Sequence, residues 1–244
     1  MSSDAVKKVL WWLCLLVAPA VLITIELFHP AGFTQYPPGM YDYLHKPEPY
    51  NPRFAALGYF GPQWWFVLHM IQTPMIALVA VGLWLLADRA ASAGGSAATS
   101  AAWLARFATF VFLVYYTALD AIGGIGLSQS IELTEQLARD GKLTPEQVQG
   151  VVMVLNGTWT NTWAGGVGSF ISLTGSWAAF ASALLVAIAL FLAKQAPWPA
   201  LIVLVAFGWE LQVSHAMPHG PIAFGLLIVA AFWIWWHGRA GLST

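Results

Sequence analysis

Residues 209–221 read WELQVSHAMPHGP. The stretch ends one apolar run and begins the next, yet it contains Glu210, His215 and His219. Ionisable side chains at the boundary of a membrane are costly and are generally kept for function. The stretch therefore indicates a functional site at one edge of a membrane domain, and the apolar runs on both sides of it determine the fold.

The composition of the chain is that of an integral membrane protein. Of its 244 residues, 59% are hydrophobic and 9% are charged, whereas soluble domains carry about 25% charged residues. The formal net charge of −1 argues against a nucleic-acid partner. The single cysteine, Cys14, excludes a disulfide framework, a cysteine-ligated zinc site and an iron–sulfur cluster.

The apolar runs predict an all-α bundle of about six transmembrane helices in a single polytopic domain over residues 1–244. The first run follows Lys7 and Lys8 and is about 20 residues long, which suits a spanning helix better than the shorter core of a signal peptide. The predicted spans are residues 9–28, 63–86, 101–127, 167–194, 198–216 and 221–236.

The segments between the spans differ in composition. Residues 30–62 are rich in proline and aromatic residues, which predicts an extended outer loop. Residues 128–163 form the second predicted outer loop, with two short surface helices, the second capped by Thr144 and Pro145. The Ala, Gly and Ser residues of 90–102 predict a flexible linker.

The basic residues predict an orientation. Six spans place these residues on one side of the bilayer, which the positive-inside rule identifies as the cytoplasm. We therefore expect a bacterial inner-membrane protein with cytoplasmic termini, periplasmic-facing outer loops and the lipid bilayer as its first partner. The basic residues on the predicted inner side are Lys7, Lys8, Arg89, Arg106, Lys194 and Arg239.

Under this topology, the ionisable residues of the apolar runs all fall in the outer half of the membrane. They are three carboxylates and four imidazoles, without lysine or arginine, so the set requires a bound cation, protonated histidines or protonated acids. His69 also shares a helical face with Gln72 and Thr73, at steps of three and four residues. The seven residues are Glu26, His29, His69, Asp120, Glu210, His215 and His219.

Imidazole and carboxylate together are the ligands of zinc, iron or copper, so the first hypothesis is a membrane-embedded metalloprotein. As an enzyme, it would be a metal-dependent oxidoreductase or hydrolase acting on a lipid-like or membrane-dissolved small substrate, with Glu26, Asp120 and Glu210 as catalytic acids and bases. The candidate metal ligands are His29, His69, His215, His219, Asp120 and Glu210.

Three other functions fit the same residues. A b-type haem protein that exchanges electrons with a quinone would use His69 and His215 as axial ligands. A proton- or cation-coupled transporter would use the carboxylates Glu26, Asp120 and Glu210. A non-catalytic subunit of an oligomer or larger complex would turn its histidines toward partner chains. The sequence leaves these four alternatives open.

Several candidate residues also have a purely structural interpretation. His29 can be a histidine at a helix end, and His69 can make a hydrogen bond between helices. Asp120 can be a structural partner of Tyr116 or of a backbone group. Because Pro218 interrupts a helix, we expect His215 and His219 to lie on either side of a bend rather than on one helical face.

Overall fold

The computed structural model of the chain describes residues 3–29, Tyr41, Leu44 and 61–240, apart from the side chains of residues 3, 4, 239 and 240. Every regular element in these residues is a helix, as the all-α prediction requires. The predicted outer loop over residues 30–62 lies almost entirely outside them.

The first apolar run forms one uninterrupted helical segment. Helix α1 is Ser3–Trp12, a π-helix is Leu13–Val17, and α2 is Ala18–Glu26. Pro19 lies in the first turn of α2, where it can donate no hydrogen bond. The wider π-turn immediately before it accommodates the proline and lets the helix continue toward Glu26.

The second and third apolar runs form longer helices than predicted. Helix α3 is Pro62–Ala93 and α4 is Ser96–Leu119, so only two residues separate them. The predicted linker over residues 90–102 is therefore wrong, because alanine-rich sequence favours helix and only the Gly94-Gly95 pair interrupts it.

Helix α4 continues through a second π-helix, Asp120–Gly126, into α5, Leu127–Arg139. The first predicted surface helix is thus the end of a 44-residue helical segment, Ser96–Arg139, rather than a separate element. The π-helix accommodates the glycines, and no proline stops the helix there. Helix α6, Pro145–Trp159, begins after the predicted N-cap Thr144. The cap is a capping box, in which Thr144 and Gln147 exchange hydrogen bonds of 2.8 and 3.3 Å.

The last three helices are α7, Phe170–Leu192; α8, Trp198–Val213; and α9, His219–Ala240. Helix α8 has 16 residues, fewer than the roughly 20 that a bilayer requires. The structure therefore supports five of the six predicted spans. Within the described residues, the helices long and apolar enough to cross a membrane are Ala5–Glu26, Pro62–Ala93, Ser96–Arg139, Phe170–Leu192 and His219–Gly238.

The chain divides into two compact units. The first unit comprises Met1–His29, Pro74–Tyr115 and Thr174–Thr244, and the second comprises Pro30–Thr73 and Tyr116–Leu173. In the first unit, α9 packs against α2 and α8. In the second, α5 packs against α6 and the second π-helix around a core. That core consists of Tyr41, Leu44, Trp65, Leu127, Ile131 and Val152.

Candidate functional sites in the two units

Asp120 is the centre of a polar cluster in the second unit. It is the first residue of the second π-helix, and only 1% of its surface is exposed. The amide nitrogen of Gln72 donates a hydrogen bond to its Oδ1 (3.1 Å), and the Thr73 hydroxyl lies 3.2 Å from its Oδ2. We call Asp120, Gln72 and Thr73 the Asp120 cluster. Its carboxyl group is therefore buried and held by neutral side chains.

The hydroxyl of Thr73 has one proton and two neighbouring acceptors. Its Oγ1 lies 2.8 Å from the carbonyl oxygen of His69 and 3.2 Å from Oδ2 of Asp120. The shorter distance marks the bond to the carbonyl as the stronger of the two, and the hydroxyl also donates to Asp120 over the longer distance. A proton on Oδ2 would allow Asp120 to donate to Thr73 instead, so this contact is compatible with a neutral Asp120.

No charged group in the described residues offsets the burial of Asp120. Among the residues that the structure describes, no lysine, arginine or histidine forms an ion pair with it, and Gln72 supplies its one N–H donor. The Oε1 atom of Gln72 is also buried and has no hydrogen-bond partner there. An ionised carboxylate in such surroundings is very unfavourable, whereas a neutral carboxylic acid fits.

His69 is fixed beside this cluster by two contacts. Its Nδ1 lies 2.7 Å from the carbonyl oxygen of Trp65, so in the neutral ring Nδ1 carries the proton and Nε2 is the basic nitrogen. Its ring also packs against the indole of Trp65, with centroids 4.3 Å apart. A Cβ at Gly124 would overlap the ring, so the close approach of the second π-helix to His69 requires glycine there.

A second set of polar residues lies in the first unit, around the end of α2. Glu26 is fully buried and His29 nearly so. The rings of His29 and His215 meet edge to face, with centroids 4.7 Å apart. At Gly220, a Cβ would overlap the carbonyl oxygen of His215 and lie 3.4 Å from the Cβ of Glu26. The glycine thus brings Glu26 close to the turn that carries His215.

His215 is an uncharged histidine at neutral pH. It lies between α8 and α9, outside the spanning helices. Although the residue keeps some accessible surface, protein encloses its ring, and this desolvation lowers its pKa from 6.5 to about 4. The contact with His29 therefore involves a neutral His215 ring.

Glu210 pairs with His219 rather than with His215. Oε2 of Glu210 lies 2.7 Å from Nδ1 of His219, and both side chains are partly exposed. Because α8 ends at Val213 and α9 begins at His219, the two imidazoles lie on either side of a break that contains Pro218. This break is the bend expected from the sequence.

The structure thus describes the seven candidate residues as two sets. His69 and Asp120 belong to the second unit, and Glu26, His29, Glu210, His215 and His219 to the first. In the described parts of the chain, no group of three or more His, Cys, Asp or Glu side chains is arranged to hold a metal ion. The predicted metal and haem ligands therefore stay predictions.

Sequence reasoning placed Gln72 and Thr73 on one face with His69 but assigned them no role in a site. It missed Trp65 and Gly124, which fix the His69 ring. The position of Trp65 one helical turn before His69 was a usable signal for that contact. The position of Gly124 opposite His69 depends on tertiary packing, which helical periodicity does not report.

Comparisons with known proteins return no match: no family model, no curated protein and no solved structure resembles the chain. The function must therefore be argued from the chemistry of the two sets of residues.

Proposed function

We propose that the chain is a proton-coupled membrane carrier in which Asp120 takes up and releases the transported proton. The observation that carries this proposal is the near-complete burial of Asp120, whose hydrogen-bonding neighbours in the described residues are the neutral side chains of Gln72 and Thr73. A buried carboxylic acid within a spanning helix is a typical proton carrier. Asp120 lies in the segment Ser96–Arg139, which is long and apolar enough to cross a membrane.

The local structure also provides a means of release. A π-helix is less regular than an α-helix and is frequent at functional sites. Asp120 begins such a segment, and the carbonyl of Gly123 within it accepts a 2.9 Å hydrogen bond from the indole nitrogen of Trp65. In our proposal, a shift of this segment moves Asp120 away from Thr73 and Gln72, and its proton leaves.

Infrared spectroscopy of the protein in lipid tests the protonation of Asp120. A neutral carboxylic acid has its own C=O band, which shifts in D₂O. We expect this band at neutral pH in the wild type and a loss of intensity in Asp120→Asn. Glu26→Gln measures the contribution of the other buried acid, and Asp140→Asn, at an exposed acid, is the matched control. An unchanged band in Asp120→Asn would contradict the proposal.

Proton flux tests the carrier function itself. Proteoliposomes with an internal pH dye would be screened with a panel of solutes under an imposed membrane potential. We expect solute-dependent proton flux in the wild type and Asp140→Asn, and its loss in Asp120→Asn. Wild-type vesicles without any such flux, or an Asp120→Asn variant as active as the wild type, would refute a proton-coupled carrier.

A metalloprotein is the second candidate, and the orientation of His69 favours it. Metal-bound histidines commonly donate their other ring nitrogen to a backbone carbonyl, as Nδ1 of His69 does to Trp65. Zinc, iron, copper or haem b could use Nε2, and the enzyme would then act on a membrane-dissolved substrate. Metal analysis and an absorption spectrum of the wild type, His69→Ala and His215→Ala test this: a stoichiometric metal lost in the variants supports it, and a colourless, metal-free protein refutes it.

For either function, we propose a bacterial inner membrane with both termini cytoplasmic, which requires that the shorter helix α8 also crosses the bilayer as a sixth span. The support is the arrangement of basic residues in the sequence, together with two aromatic contacts of Arg106. Its guanidinium lies 4.6 Å from the ring of Trp103 and 5.7 Å from that of Trp84. Tryptophan and arginine are both typical of the membrane–water boundary.

A further inference from the structure

The exposed face of α6 changes from polar to apolar along its length. Glu146 and Gln149 lie in its first half. Met153 follows on the same face, one turn after Gln149, with Val154 beside it, and these two residues are 67% and 66% exposed. The opposite face is already buried, since Val152 belongs to the core of the second unit. Met153 and Val154 are therefore exposed on a helix whose opposite face is packed against the core of the second unit.

Further exposed apolar side chains follow α6 in the chain. Trp163 and Val167, in the connection to α7, are 69% and 58% exposed. The ring of Trp163 packs against that of Phe170, with centroids 5.7 Å apart, and its carbonyl oxygen accepts a hydrogen bond from Ile171. Trp163 therefore adjoins the first residue of a helix that is long and apolar enough to cross a membrane.

The segment also has the chemistry that a lipid environment requires. No Asp, Glu, Lys, Arg or His occurs from residue 147 to residue 193. In the irregular connection, backbone N–H groups find hydrogen-bond acceptors within the segment. Oδ1 of Asn161 accepts hydrogen bonds from the N–H groups of Trp163 and Ala164, and the backbone carbonyl of Asn161 accepts one from Gly165. Non-helical backbone near acyl chains needs this internal pairing because lipid offers no replacement for water.

We propose that the surface formed by Met153, Val154, Trp163 and Val167 is inserted in the membrane interface and contacts lipid acyl chains. We call it the interfacial surface. Glu146 and Gln149 then remain in water, so α6 enters the interface with its C-terminal half. The partner of this surface is the bilayer itself, and the inference does not depend on the protonation of Asp120.

Spin labels test this placement in the full-length protein, with Cys14→Ser as the background. Met153→Cys, Val154→Cys and Val167→Cys would each be labelled in phosphatidylcholine nanodiscs, and collisions with oxygen and with a water-soluble nickel chelate would be measured. Gln149→Cys, on the same face of α6, is the matched control. Phe107→Cys on α4 and Lys142→Cys serve as lipid and water references, since both native residues are exposed.

We expect labels at 153, 154 and 167 to collide with oxygen several-fold more often than with nickel, as at 107. Labels at 149 and 142 should show the reverse. Equal nickel access at 153 and 149 would overturn the proposal by placing the surface in water. Low access of both reagents at 153 and 167 would also overturn it, because the surface would then be covered by protein, as a subunit of a complex predicts.

Discussion

Asp120 in the second unit and Glu210 in the first are two acids whose carboxyl groups differ in burial and in the chemistry of their partners. Asp120 is almost fully buried, and its two partners are the neutral side chains of Gln72 and Thr73. Glu210 keeps about a quarter of its side chain exposed and lies 2.7 Å from an imidazole nitrogen of His219. Glu210 thus has solvent exposure and an ionisable partner, whereas the described residues give Asp120 neither.

The difference shows what each acid can do. The carboxyl group of Glu210 has polar surroundings, because its side chain is partly exposed and contacts an imidazole. A buried acid with neutral neighbours is stable only while it is protonated. Its ionisation therefore requires either a movement that exposes the carboxyl group or a cation that binds beside the carboxylate. This difference is why the proposed carrier function is assigned to Asp120 in the second unit rather than to Glu210 in the first.

The largest expected effect on stability comes from adding a methyl group beside each set of polar residues, at Gly220 in the first unit and at Gly124 in the second. Gly220→Ala would force a Cβ into the backbone carbonyl of His215, and we expect a loss of about 3 kcal/mol or more in the free energy of unfolding. Gly124→Ala meets the ring of His69, a side chain that can turn, so we expect about 1–3 kcal/mol. Chemical unfolding in micelles measures both.

Gly150→Ala is the matched control for these two changes. It is a helical glycine with open space around its Cβ position, so alanine should stabilise the protein by about 0.5–1 kcal/mol. A loss of stability at Gly150 comparable to that at Gly124 would show that glycine replacement itself, rather than contact with His69, causes the effect.

A second test compares two replacements of Asp120. Asparagine resembles a neutral carboxylic acid, so Asp120→Asn should change the free energy of unfolding by less than about 1 kcal/mol, whereas Asp120→Ala leaves Gln72 without its acceptor and should cost about 1–3 kcal/mol. The same unfolding assay measures both variants. Equal losses for alanine and asparagine would indicate that the carboxylate charge, not a neutral acid, holds the cluster together.

Local features of this chain were predictable, and tertiary neighbours were not. The cap at Thr144 and the break at Pro218 follow from residue types that fix the nearby backbone. The continuity of Ser96–Arg139 was missed because a glycine run usually ends a helix, and a π-helix has no clear sequence signal. Hydropathy predicts the depth of a side chain in a bilayer but not which helices are neighbours, so seven residues at one predicted depth were assigned to one site.

The pH dependence of stability sharpens the description of the first unit. The pKa of His215 falls from 6.5 to about 4 on folding. Above pH 6.5 the ring is neutral in both the folded and the unfolded state. Between pH 6.5 and about 4, the ring binds a proton in the unfolded state but stays neutral in the folded state. The stabilisation is therefore complete above pH 6.5 and is lost as the pH falls toward 4, by about 1–2 kcal/mol given the partial exposure.

Unfolding of His215→Gln at pH 7.5, 5.5 and 4.5 isolates this contribution, because other groups titrate equally in both proteins. We expect the variant to lose less stability than the wild type on acidification. His237→Gln, at an exposed histidine of the same unit, should follow the wild type. Parallel pH curves for His215→Gln and the wild type would contradict a neutral, enclosed His215.

The smallest expected effect is at Glu210, and its size tests the contrast with Asp120. Because both members of the pair touch water, Glu210→Gln should cost only about 0.2–1 kcal/mol, as exposed ion pairs generally do. A double-mutant cycle with His219→Gln measures the coupling between the two side chains directly. A coupling energy well above 1 kcal/mol would mean that the pair is screened from water in the membrane, and that the first unit also holds a buried charge.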